Sequence, residues 1–355
     1  MDGFFHKWLQ DARDSQAENG MYPDVIPKVR VVGWGGAAWG DAGIIVPYTM
    51  WKMYADTDII REHYASMERY MDWLATTDLS GPNATYGDWL AYEPTDARYI
   101  SVAYYALDAR YMAAMSRAID RADRAAHYDS LFEQVLDHFR RIYCNAEGDL
   151  NPEVRTQTGY LLALRNDLLL PERRPAAVAA LKQKIIDNGY KLSTGFVGSC
   201  ILNEVLAEFG ENDLAYSLLL QTENPSWLYS VHQGATTIWE RWNSYTKATG
   251  FGDVGMNSFN HYAYGAVQEW MYRHIAGIET TEQAPGFAHP ILQPKPDTRS
   301  AEEIPAGQEK ITWVRTSFAS PVGLIESAWD MTDGFTYTCR VPVAAEVIEN
   351  LLKQA

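Results

Sequence analysis

A mainly helical chain, folded as a closed ring of helix pairs and followed by a small antiparallel β domain, is the architecture the sequence predicts. Three observations carry it. The apolar period runs in steps of three and four from the start to about residue 277, no fixed-length repeat of the kind that builds a solenoid is visible, and beyond residue 278 the period changes to two. At 355 residues with 47% hydrophobic content the chain is long enough to fill a large core.

The helical elements follow in order. Ile60, Tyr64, Met67, Met71 and Leu74 form one apolar stripe, as do Phe132, Val135, Leu136 and Phe139, and Ile201, Leu202, Val205, Leu206 and Phe209. The same spacing, interrupted by Gly, Pro and Asn turns, predicts helices near 3–14, 41–55, 58–76, 97–119, 128–143, 157–169, 174–188, 197–209, 211–221 and 258–276. A loop rich in Pro, EQAPGFAHPILQPKP, then leads into ITWVRTSF, GLIESAWDM and FTYTCRVPV. The last two flank Asp333-Gly334, a β-hairpin signature. The final stretch, AAEVIENLLKQA, reads as helical where a further strand would help to close the sheet. Two domains are expected, 1–277 and 278–355.

Composition narrows the function. A formal net charge of −16 and the absence of a Lys/Arg cluster argue against nucleic acid and against an anionic membrane surface. Three widely spaced cysteines give neither a disulfide framework nor a CxxC metal site. HExxH, an EF-hand loop, the GxGxxG spacing and GxSxG are all absent, so neither a metal nor any other cofactor is expected. No export leader opens the chain and no apolar run has the length of a membrane span, which makes a cytoplasmic location the default for the chain as written.

Three motifs combine indoles with carboxylates. Indole faces stack on the apolar faces of a pyranose while carboxylate and imidazole edges bind its hydroxyls, so the pattern suits a neutral sugar. GATTIWERW (234–242) sets Glu240 between Trp239 and Trp242, and MNSFNHYAYG (256–265) adds His261. Desolvation among aromatics disfavours the charged form of a carboxylate, which suits it to general acid or base work. GWGGAAWGDAG (33–43) brings Trp39 and Asp41 on a Gly-rich loop, and TYGDWLAYEPTD (85–96) brings Asp88 and Trp89 with Glu93 close by. Structural alternatives stand beside each: Asp41 as a helix N-cap, Asp88 as a solvated turn acid, His261 as a satisfied histidine at a helix start capped by Asn257 or Ser258, and Glu240 as a partner of Arg241.

Taken together, WGDAGIIVPY, YGDWL, TQTGYLLAL, GATTIWERW and MNSFNHYAYGAVQEWMYRHIAGIE resemble the glycoside hydrolase family 78 α-L-rhamnosidases, and PGFAHPILQP is similar to the entry into that family's C-terminal β-sandwich. The resemblance implies an (α/α)6 barrel, an inverting mechanism and a terminal L-rhamnose of a glycoside or polysaccharide as the sugar released. Glu240 then matches the general base, His261 a histidine that contacts the sugar, and Trp39 and Trp89 pocket-lining aromatics. Trp239, Asp41 and Asp88 join the sugar-binding candidates from their motifs.

One departure from the family pattern matters. The segment of the type DCPQRDERLGWTGDAQ, which holds the family's general acid, is absent, and the chain begins just after its expected place. The expectation is therefore an N-terminally truncated barrel, lacking the acid and at least one helix, that hydrolyses slowly or not at all unless Asp41, Asp88 or Glu93 substitutes. Its open flank would favour association with the missing portion or a second copy. Competing readings are a non-catalytic carbohydrate-binding remnant and another (α/α)6 hydrolase, of the unsaturated-glucuronyl or trehalase type.

Overall fold

The structure, a computed structural model, describes residues 1–30, 32–82, 86–344 and 346–347. Several of its helices begin where the sequence places a capping oxygen. Asp56 accepts from the Ile59 N–H at the head of α3 (Thr57–Leu74), Asp96 from Tyr99 at α4 (Ala97–Ala118), and Thr156 from Gly159 at α6 (Gln157–Arg165). The others are α1 (Asp2–Asp14), α2 (Ala42–Tyr54), α5 (Ala122–Tyr143), α7 (Arg174–Asp187), α8 (Phe196–Glu208) and α9 (Asn212–Leu219).

They alternate in burial. Tyr99, Ile100, Val102, Ala103, Tyr105, Ala106 and Ala109 make α4 apolar nearly all round, and α6 is buried from Gln157 to Leu164. On α5, by contrast, Tyr128, Val135, Leu136 and Phe139 form one stripe against α4. Helices buried on every side belong to an inner layer and one-striped helices to an outer one. Inner α2, α4, α6 and α8 pack in succession, each backed by an outer partner, α3, α5, α7 and α9. The turn Pro285–Phe287 returns to pack on α2, so the array curves round a common axis. Gly286 there has φ +68, and an added Cβ would lie 2.8 Å from that of Ala55.

Three segments differ from expectation. The outer helix predicted from 128 starts at Ala122, with Asp123 in its first turn. The one predicted to 169 stops at Arg165, and Asp167 is left-handed at φ 57. The span 258–276 is not one helix. His261 N–H donates to the Ile238 carbonyl, the Glu240 N–H to the Ser258 carbonyl, and Thr237 Oγ1 to the Phe259 carbonyl, so residues 258–261 are engaged before a helix can start. The last inner element then runs as a 3₁₀ turn (Ala263–Ala266), an α turn (Val267–Trp270) and a π turn (Met271–Ile275). A short helix, α10 (Trp227–His232), is too brief to show a period, although Ser226 caps it.

Beyond residue 277 the chain is β. Tyr245–Thr246 (β1) and Gly250–Phe251 (β2) form a small earlier hairpin. Ile278–Glu279 (β3) pairs antiparallel with Ile291–Leu292 (β4). Trp313–Ser320 (β5), Gly323–Asp330 (β6) and Thr336–Arg340 (β7) form an antiparallel meander with β6 in the centre. The expected Asp333-Gly334 hairpin joins β6 to β7, and a tighter one at Pro321-Val322 joins β5 to β6. Glu346–Val347 (β8) pairs parallel with β4, so this sheet is mixed rather than purely antiparallel. The helical reading of AAEVIENLLKQA otherwise falls on Ala345 and 348–355, outside the described residues.

The period of two places Ile325, Ser327 and Trp329 on the buried face of β6. Trp329 donates its indole N–H to the Ile275 carbonyl at 2.8 Å, and the Ser327 hydroxyl donates to the Ala276 carbonyl at 2.6 Å. Nearby, Arg299 and Asp297 form a fully buried pair at 2.7 Å. Arg299 also reaches Ser217 of α9 and the side chain of Gln308. Trp329→Ala should lower the unfolding free energy by about 3–5 kcal/mol, read as a shift of the urea midpoint; an unchanged midpoint would mean that the sheet is not anchored there.

Candidate functional site

The motifs singled out in the sequence lie at one end of the inner helices, in the loops that precede α2, α4 and the last inner element. Backbone pairing of 238–240 with 258–261 sets Glu240 and His261 on neighbouring strands of chain. Glu240 is half-buried and its Oε2 accepts the Ser258 N–H at 2.8 Å. Among the described residues no donor reaches its other oxygen. Arg241 does not pair with it: its Nε donates to the Met256 carbonyl and its guanidinium lies 3.9 Å from Asp253.

His261 is also half-buried, with its ring 4.8 Å from that of Phe196, whose N–H donates to the Trp89 carbonyl. Its Nδ1 accepts the Ala263 N–H at 3.3 Å, which assigns the ring proton to Nε2 and makes that nitrogen a donor. The two indoles flanking Glu240 turn inward. Trp242 stacks on Tyr264 at 3.8 Å and donates to the Thr194 carbonyl, and Trp239 is buried edge-on against Phe259. Buried in these contacts, neither indole offers an open face.

On a second wall, joined to the first through Phe196, the half-buried rings of Trp39 and Trp89 are linked by a residue not singled out in the sequence, Tyr86. Its ring lies 4.6 Å from Trp39 and 6.0 Å from Trp89. Its hydroxyl donates to Asp24 Oδ2, while Asp24 Oδ1 accepts the Gly36 N–H at 2.7 Å. A Cβ on Gly33 would lie 2.7 Å from Asp24 Oδ2, so the glycine there is a requirement of close approach. Tyr86 was legible as part of YGDWL, whereas nothing in MYPDVIP marks Asp24.

The carboxylates of this wall are occupied by the protein. Asp41 is fully buried and precedes α2, but it does not cap that helix with its side chain. It accepts instead from the Ala38 N–H and, at 2.9 Å, from the Tyr70 hydroxyl. Asp88 is buried at the head of α8, where it accepts the N–H groups of Gly195 and Val197, each at 2.8 Å, that of Gly198 at 3.3 Å, and the Thr158 hydroxyl. Burial pushes its carboxyl up against the pull of these four donors. Glu93 pairs with Lys184 at 2.7 Å and accepts from Ser193 and from the Gln157 N–H. A free second carboxylate is therefore not provided by Asp41, Asp88 or Glu93.

A cavity of about 950 Å³ lies further along the barrel axis, towards the opposite helix ends, with Tyr48, Lys52, Arg110, Arg165 and Glu208 in its walls. None of the site candidates lines it. Among the described residues no group of His, Cys, Asp or Glu has the geometry to hold a metal ion, and no helix is long and apolar enough to cross a membrane.

Paired inner and outer helices, with indoles and carboxylates gathered in the loops at one end, define a helical-hairpin barrel. Residues 1–275 match the bacterial α-L-rhamnosidase six-hairpin glycosidase domain, and residues 277–351 the bacterial α-L-rhamnosidase C-terminal domain. The chain belongs to the bacterial α-L-rhamnosidase six-hairpin glycosidase family. It is 37% identical over 343 residues to an α-L-rhamnosidase of Streptomyces avermitilis, covering 96% of this chain and 32% of that protein. To one of Formosa agariphila it is 37% identical over 338 residues, 92% of this chain and 35% of the other. The crystal structure of the Streptomyces avermitilis α-L-rhamnosidase complexed with L-rhamnose superposes with a TM-score of 0.88 over 97% of this chain and 32% of its own, at 37% identity. That of native α-L-rhamnosidase from Aspergillus terreus gives 0.87 at 29% identity, over 98% of this chain and 41% of its own. The chain thus spans about a third of the length of the curated relatives it matches.

Asp88→Ala removes the acceptor for four buried donors. It should cost about 3–5 kcal/mol in urea unfolding and speed amide exchange at 195–198, whereas Asp88→Asn, which keeps one acceptor oxygen, loses less. Equal stability of Asp88→Ala and the unchanged chain would show that the capping is dispensable.

Proposed function

We propose that this site binds the terminal α-L-rhamnosyl unit of a glycoside or polysaccharide and that Glu240 acts as the general base of an inverting hydrolysis. The carrying observation is the Glu240 carboxylate, fixed through Oε2 by the Ser258 N–H, with no protein donor on its other oxygen among the described residues. A water hydrogen-bonded to that oxygen would give up its proton as it attacks the anomeric carbon. The Nε2–H of His261 suits a sugar hydroxyl as acceptor, and the half-buried rings of Trp39 and Trp89 suit its apolar face. Asp41 and Asp88 serve in this reading by holding the loops that carry those rings, and Trp239 by backing Glu240.

An inverting reaction also needs a carboxylic acid about 6.5–9.5 Å from the base, to protonate the leaving oxygen. With Asp41, Asp88 and Glu93 all engaged by protein donors, we infer that this acid is supplied from outside the 355 residues. The isolated chain then binds sugar without turning it over. That differs from a merely carbohydrate-binding role in one respect, since Glu240 is held ready for a reaction the chain does not complete alone.

Calorimetric titration with L-rhamnose and release of p-nitrophenol from p-nitrophenyl α-L-rhamnoside test both statements. The expected result is measurable rhamnose binding, weakened on His261→Ala by about 0.5–1.5 kcal/mol for loss of one neutral hydrogen bond, with little or no release of p-nitrophenol. Turnover that Glu240→Gln abolishes would overturn the external acid while retaining the base. Failure to bind rhamnose would overturn the sugar assignment.

A further inference from the structure

Behind the Trp39 loop lies a second buried acid that the proposed reaction does not use. Asp108, on α4, is completely buried, and neither of its carboxyl oxygens has a conventional partner among the described residues. What it faces is Asp41, also completely buried. No ion pair reaches either group among the described residues. The other titratable groups facing the pair are phenols: Tyr70 from α3, and Tyr104 and Tyr105 from α4 itself. Two ionised carboxylates, each an acceptor only, cannot share a dry contact with no cation to offset them. One must carry a proton, and the donor count decides which. Asp41 already accepts from Ala38 N–H and the Tyr70 hydroxyl, whereas Asp108 receives nothing.

We propose that Asp108 is a positioning residue of the candidate site: it remains a neutral carboxylic acid, donates its hydroxyl to the Asp41 carboxylate, and so holds the turn that carries Trp39. Asp41 is the centre of that turn's hydrogen bonding, since the same carboxylate receives the Ala38 N–H one residue before Trp39. Burial and the neighbouring Asp41 both push the Asp108 carboxyl far above the ordinary aspartate range, in agreement with the donor count. The consequence for Trp39 rests on the proposed sugar site; the shared proton does not.

A proton held more tightly in the folded than in the unfolded chain has a definite signature. Its contribution to stability is complete below the unfolded aspartate range, near pH 3.9, and is lost as pH rises towards the folded value. Asparagine keeps the shape and an N–H donor but has no proton to lose. Urea unfolding of the unchanged chain and of Asp108→Asn, compared between about pH 5 and 8, should therefore diverge, the unchanged chain weakening by about tenfold in its unfolding equilibrium constant per pH unit relative to the variant. A difference independent of pH would overturn the neutral acid. Amide exchange at Ala38 tests the positioning: it should stay slow in Asp108→Asn and quicken by about tenfold or more in Asp108→Ala, the loss of about 1.4 kcal/mol of local protection. If Asp108→Ala does not fold, rapid exchange in Asp108→Asn would still overturn the proposal. None of these readouts involves sugar, so absence of rhamnose binding counts against the proposed function and leaves the proton pair standing.

Discussion

One carboxylate ties the site to the barrel. Asp88 leaves its own loop to take three N–H groups at the head of α8, where unpaired donors and the helix dipole both favour an anion, and it takes the Thr158 hydroxyl from α6 as well. Two inner helices and the loop bearing Tyr86 and Trp89 are thereby fixed to one another. Tyr86 extends the constraint to Trp39 by ring contact and, through Asp24, to the Gly36 backbone. Gly195 completes the arrangement, since a Cβ there would lie 2.1 Å from the Trp89 carbonyl oxygen.

Much of this was legible in the sequence, and the exceptions have physical causes. The helices could be read from apolar period, and β6 from alternation, because a buried face leaves a local imprint; the layer of each helix could not, since 201–209 reads as a single stripe and lies in the inner layer. Glu240, His261, Trp39 and Trp89 stood out because carboxylates and indoles on Gly-rich loops are unusual in a chain otherwise patterned for packing. Asp24 was not legible, because its partners, Gly36 and Tyr86, are brought to it by the fold and leave no local period. The 258–261 segment misled for a related reason: its apolar spacing is helical, but its backbone groups are claimed by 237–240. Trp239 and Trp242 show that an indole beside a carboxylate in sequence does not have to face the same way in space.

The two walls of the site differ in how they are held. Glu240 and His261 sit on irregular chain joined by backbone pairing, while Trp39 and Trp89 are held by buried carboxylates whose donors are backbone amides, a phenol and a threonine hydroxyl. Acidic side chains thus differ in how they are engaged: Glu240 accepts one backbone N–H, whereas Asp41 and Asp88 are each buried and taken up by several protein donors. Motif spacing alone does not separate them, since all three carboxylates follow a Gly or Trp within two residues and only their hydrogen-bond partners differ.

The contact between β6 and the end of the last inner helix bears on what counts as a domain here. A helix leaves its final carbonyls without intrahelical partners, and at Ile275 and Ala276 those partners are the Trp329 indole and the Ser327 hydroxyl. The sheet is in effect the C-terminal cap of the helical ring, reached across more than fifty residues of chain. A boundary drawn where the sequence changes texture would cut through a hydrogen-bonded helix end, leaving the ring with bare carbonyls and the sheet with an uncovered indole. The two textures therefore meet in a hydrogen-bonded seam, with the end of the helical part and the face of the sheet completing each other's polar contacts.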